Sequence, residues 1–233
     1  MGPSGKMLAV STLQQKLSHL NTLQETTPQL LPGPKLFLQN LAQGLGSLKT
    51  VIFKDILLPP SFLRTLANLS NPQMMHIAVQ FQALTGLRGG QMVQVTPGHL
   101  KHYLTTGKLW LTPFKHQTLP ILLDISHVPS WLVSKFLALG KQDYVPILTY
   151  TVEQYREAFK RLTDSYHLPH TSHAARHLFA SMMKFLNVIP ARITQGMTHK
   201  AGTSLSPYLH AFSLAEQRVI LDNPGYFVAL KGY

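Results

Sequence analysis

The sequence predicts a mainly α-helical protein with one small three-stranded antiparallel sheet, an α+β class. Three observations predict it. Apolar residues recur at helical spacing through most of the chain, and a short stretch after about residue 98 switches to partial alternation. Of the 233 residues 45% are hydrophobic, with no cysteine to staple a smaller core. A chain of this length can bury a substantial core. With only 13% charged residues it does not read as a disordered tail.

The elements follow in order. Leu8, Leu13, Leu17, Leu20 and Leu23 lie near helical spacing and predict a helix over 7–25. A Pro-rich break over 26–34 precedes a second helix over 35–48. Pro59 and Pro60 open a third, with Phe62, Leu63, Leu66 and Leu69 along one side, because proline fits a first helical turn. Asn71-Pro72 ends it, and 73–87 is a long apolar-rich helix closing at Gly86, Gly89 and Gly90. The runs 98–104, 108–114 and 118–123, separated by two short polar turns, form the predicted meander. Pro113 gives the second run an irregular or edge position. Helices resume over 129–139 and 151–166, the latter with a Thr151-x-x-Gln154 capping box, and again from Ser172 and from Pro207.

Charge narrows the function. Lys and Arg number 21 against 9 Asp and Glu, a net charge of +12. The surplus comes from missing acids: no carboxylate lies between Asp55 and Asp124, or between Asp164 and Glu216. Those stretches hold Arg64, Arg88, Lys101, Lys108, Lys115, Arg176, Lys184, Arg192, Lys200 and most of the histidines. Such a surface attracts a polyanion. Paired-carboxylate catalysis and a carboxylate magnesium cage lack their residues there. Thiolate chemistry and Cys-type zinc sites are excluded outright. No apolar run approaches the ~18 residues of a membrane span, and the first residues lack the apolar segment of a signal peptide.

The segment 172–183 carries the densest chemistry. On a helical wheel His173, Arg176, His177 and Ala180 share one side, while Ala175, Leu178, Phe179, Met182 and Leu186 gather on the other. The helix therefore should bury one face and present an imidazole and a guanidinium on the opposite one. That face is either an ordinary solvated surface or a phosphate seat built from a helix N-terminus and an arginine fork. His167, His170, His173 and His177 also have metal-like spacing, but no acidic residue accompanies them and Pro169 interrupts the run, so no metal is expected. Arg88 follows Thr85-Gly86-Leu87 at the end of a helix, beside glycines that let a ligand approach the backbone. His199 stands nine residues before Tyr208, and Ser206-Pro207 would cap a helix there.

Arg88 in Thr-Gly-Leu-Arg, His173-Ala-Ala-Arg176-His177, His199 and Tyr208, in this order and with these gaps, resemble the tyrosine recombinase (integrase) superfamily over roughly residues 53–215. The resemblance implies that superfamily's catalytic-domain fold over 53–233, with 1–52 a short helical segment, a partial core-binding (SAM-like) region. It implies a site-specific recombinase or integrase from a mobile element that cuts and rejoins DNA through a 3′-phosphotyrosyl bond, needing no metal, cofactor or ATP. Arg88 and Arg176 would clamp the scissile phosphate and His199 would donate to it. His173 would serve as acid/base, Tyr208 as nucleophile, and Lys115 as general acid, with Lys108 as the fallback. Lys101, Lys108, Lys184, Arg192 and Lys200 are candidate DNA-backbone contacts. The partner would be double-stranded DNA, with two protomers per site and four per synapse, no membrane, and a location inside the cell with the DNA.

The sequence also departs from the pattern. Gln91 stands where the family usually has an acid, and Pro207 directly precedes the tyrosine. The segment before residue 53 holds two helices at most. These departures motivate the alternative reading, a DNA-binding protein that keeps the fold but no longer cuts. A histidine-based metal hydrolase is the third.

Overall fold

A computed structural model of the chain describes residues 57–111, 121–125, 127–168, 170–198 and 205–222, all within a unit that begins at Asp55. The helices expected before residue 49, and the reading of 1–52 as a partial core-binding region, lie outside the described residues.

Helix α1 (Pro60–Ala67) starts at its proline pair and buries Phe62, Leu63 and Leu66. Helix α2 (Met74–Thr85) is buried at every position from Ile77 to Thr85, the signature of a helix enclosed on all sides. It is the axle of the fold: α1, α5 (Ser130–Ala138), α6 (Val152–Ser165) and α7 (Ser172–Phe185) all pack against it. Phe81 of α2 stacks on Phe136 of α5 at 4.6 Å.

Gly86 ends α2 in the left-handed region at φ +69, its N–H bonded to the Gln82 carbonyl at 2.9 Å. A Cβ at this position would stand 2.5 Å from the Phe179 ring, so the turn demands glycine both for its dihedral and for its space. The chain then restarts as the one-turn helix α3 (Gly89–Met92), with Arg88 at its N-cap. A buried relay steadies this turn. Tyr155 Oη donates to Gln82 Oε1 at 2.7 Å, and Gln82 Nε2 donates to the Leu87 carbonyl at 2.9 Å. Desolvation pushes the Tyr155 phenol up, so it stays a donor.

The first strand of the expected meander is a helix instead. Helix α4 (Pro97–Thr106) covers 98–104 because local chemistry overrides partial alternation. Thr96 Oγ1 accepts from His99 N at 3.2 Å, the Thr96 N–H donates to His99 Nδ1 at 3.2 Å, and Pro97 takes the first turn. Gly107 closes the helix at φ +72. Among the described residues the sheet therefore has two strands, β1 (Lys108–Leu111) and β2 (Ile121–Asp124), paired antiparallel with Leu109 opposite Leu123 and Trp110 opposite Leu122. Residues 112–120, including Pro113, lie outside the described residues.

The capping box predicted for α6 forms, with Gln154 N donating to Thr151 Oγ1 at 3.2 Å and Thr151 N to Gln154 Oε1 at 2.8 Å. After α7 comes α8 (Pro190–Gly196). The helix expected from Pro207 is only a 3₁₀ turn, Ser206–Tyr208. The next helix, α9 (Leu214–Leu221), waits for Ser213, whose Oγ accepts from Glu216 N at 3.3 Å, and it packs on α1 of the same chain. Among the described residues no helix is long and apolar enough to cross a membrane.

Candidate active site

The wheel places Arg176, His177 and Ala180 on an open face of α7, and the structure corrects this. Arg176 is 1% exposed, and His177 and Ala180 are buried as well. A wheel sees one helix, and here the turn after α8 and the 3₁₀ turn cover the polar side. Only His173, in the first turn, and Lys184, in the last, remain exposed on α7.

Arg176 gathers three remote segments. Its Nη1 donates to the Gly86 carbonyl, its Nη2 donates to the Met197 carbonyl at 2.8 Å, and the guanidinium hydrogen-bonds the Tyr208 side chain. Its pKa is lowered by burial first and by the Arg88 cation second, with Tyr208 opposing both. Two guanidinium groups and a phenol therefore lie close together.

Arg88 comes from the other side, off the N-cap of α3. Its Nη1 donates to both the carbonyl and Oγ1 of Thr198, the former at 3.3 Å. Nη2 and Nε meet no hydrogen-bond acceptor among the described residues. The group is half-buried, its pKa lowered by desolvation and raised by Tyr208. Gln91, standing where an acid was expected, does not touch this guanidinium. Its Oε1 accepts the Arg88 backbone N–H at 2.9 Å, and its Nε2 donates to Thr198 Oγ1 at 3.3 Å.

The tyrosine turn docks on α7 through small polar groups. Ser181 Oγ donates to the Tyr208 carbonyl at 3.1 Å and accepts from His210 N at 2.9 Å. The His177 ring lies against the Tyr208 ring at 4.9 Å between centroids, and its Nδ1 is 3.0 Å from His210 Nε2. One of these nitrogens must carry the proton and the other accept it. Burial, then His210, His173 and Arg176, pull the His177 pKa down to about 4; burial lowers that of His210.

Other sequence-selected residues are spread more widely. Lys101 pairs with Asp143 at 2.7 Å on an exposed surface. Lys108 and Arg192 line a cleft of about 280 Å³ with His127 and Gln195. Lys115, His199 and Lys200 lie outside the described residues. Among the described residues no three His, Asp or Glu side chains converge to hold a metal. Thr198, Ser181 and His210 are site residues that pattern reasoning missed. Ser181 lies four residues after His177 and was findable as its neighbour on the same face; Thr198 leaves no local signal.

The sequence matches no protein-family model and no curated protein. Among solved structures, the chain is similar to the integrase from mycobacterium phage Brujita, with a TM-score of 0.52 and 15% identity over 76% of this chain and 57% of that one. The likeness is one of fold. The chain spans a little over half the length of that integrase.

Proposed function

We propose that the chain is a DNA strand transferase of the tyrosine-recombinase kind, a recombinase or integrase working through a 3′-phosphotyrosyl intermediate. One observation carries this reading: Arg88 and Arg176 repel each other beside the Tyr208 phenol, and Arg88 keeps donors to spare. The ion pairs Lys101–Asp143, Arg156–Glu153 and Lys160–Asp164 lie elsewhere. A buried and a half-buried cation close together are unfavourable until an anion bridges them, and a phosphodiester has the charge and the paired oxygens to do so. The fold likeness to a phage integrase supports the same reading.

In this reading Arg88 and Arg176 bind the non-bridging oxygens and stabilise the charge that builds in the transition state. The Tyr208 oxygen attacks phosphorus as the P–O5′ bond breaks. His173 takes the phenol proton, Lys115 gives a proton to the departing 5′-oxygen, and His199 donates a further hydrogen bond to the phosphate. Attack by a second 5′-hydroxyl reverses these steps. One phosphoester replaces another, so no nucleotide hydrolysis is needed. Lys108, Lys184, Arg192, Lys200 and, after release from Asp143, Lys101 would contact DNA backbone, with two protomers per site and four per synapse.

A nicked suicide duplex from the ends of the protein's own element tests this on a denaturing gel. Wild type forms a covalent adduct. Tyr208→Phe lowers the adduct at least about a thousandfold while DNA affinity holds. Equal adduct from Tyr208→Phe overturns the assignment.

A further inference from the structure

Thr198 is strained. It sits at φ +54, in the left-handed region, where a β-branched residue is a genuine outlier. The other non-glycine residues found there among the described residues are His167 and Asn187, and Asn tolerates the region well. Its own N–H closes the end of α8 on the Gln195 carbonyl at 2.8 Å, and side chains from α3 reach its polar atoms. Arg88 Nη1 reaches both its carbonyl and its hydroxyl, and Gln91 Nε2 reaches the hydroxyl at 3.3 Å. The residue before it, Met197, gives its carbonyl to Arg176 at 2.8 Å. Two consecutive residues thus present acceptors to both guanidinium groups. Strain of this sort persists where the surroundings over-determine it, and it clusters at functional sites.

We propose that Thr198 is a positioning residue for Arg88: its hydroxyl, shared with the Gln91 amide, fixes the guanidinium and leaves Nε and Nη2 aimed outward for an anion. The inference rests on the phosphotyrosyl reading above and deepens it. The usual way to orient an arginine is a carboxylate, which also cancels its charge. A hydroxyl and an amide orient without cancelling, so the full positive charge remains for a phosphate. His167 and Asn187 close α6 and α7 in the same left-handed way, so what sets Thr198 apart is the hydroxyl that receives the Arg88 and Gln91 side chains.

Three variants of the full chain separate the readings. Thr198→Ser keeps the hydroxyl and should retain adduct formation on the suicide duplex within about threefold. Thr198→Val keeps the branched shape without the acceptor and should slow the adduct about tenfold or more. Thr198→Gly relieves the dihedral, so its melting temperature should hold or rise while the adduct rate falls as for Val. If Thr198→Gly or Thr198→Val reacts at the wild-type rate, the proposal is wrong. A second readout stands apart from the chemistry, namely the Arg88 guanidinium resonances in ¹H–¹⁵N spectra. Restricted Nη rotation in wild type and Ser, but averaging in Val and Gly, supports the proposal, and identical spectra in all four overturn it. Absence of any adduct from wild type would instead count against the phosphotyrosyl reading, and the resonances would still decide the role of Thr198.

Discussion

Arg176 is fastened deep in the fold by backbone carbonyls, those of Gly86 and Met197, whereas the turn bearing Tyr208 is fastened by side chains, Ser181 and the His177–His210 pair. The difference is one of cost. Backbone carbonyls neither titrate nor swing away, so the arginine side comes apart only with the fold around it. Hydroxyl and imidazole contacts at the surface of α7 can open alone, and one of them depends on pH. A site built this way keeps its arginine half rigid and leaves its tyrosine half adjustable.

The largest expected effect falls on the rigid half. Arg176→Ala strands two buried carbonyls and removes the largest fully buried side chain, which should cost about 3–5 kcal/mol in denaturant unfolding. Loss of less than about 1 kcal/mol would show that the two halves do not differ as described.

The adjustable half should answer to pH. The unfolded chain takes up a proton on His177 near its ordinary value of 6.5, and the folded chain only near 4. Stability from this group is therefore complete above about 6.5 and drains as pH falls toward 4, by roughly 3 kcal/mol at ~1.4 kcal/mol per unit. Melting curves from pH 7 to 4 should show His177→Asn with a shallower loss than wild type. Parallel curves would remove the titrating clasp from the comparison. Smaller still, Ser181→Ala should cost about 1–2 kcal/mol and act locally. Hydrogen exchange should speed up at the His210 amide, which bonds Ser181, and stay unchanged at Gly86, whose N–H bonds Gln82. Equal acceleration at both would mean that the turn and the arginine anchor open together.

How much of this was legible depends on the range of the interactions involved. The buried helix α2 and the capping box of α6 are written in neighbouring residues, and they stand where pattern reading puts them. Helix α4 is also written locally, in Thr96, Pro97, His99 and Gly107, but the partial alternation of the residues inside it mimics a strand. The meeting of Arg88, Arg176 and Tyr208 follows the order of motifs along the chain, yet the burial of Arg176 does not, because no wheel reveals what covers a helix from outside. Thr198 is the extreme case. Its dihedral belongs to the local end of α8, but its partner Arg88 is 110 residues away.

Arg176 ties together pieces that are synthesised far apart, Gly86 the first of them and Tyr208 the last. A half-made or proteolytically clipped chain would own separate components but no assembled site. Under the function proposed above, that dependence is a safety catch: no strand would be opened until these segments have closed on one guanidinium.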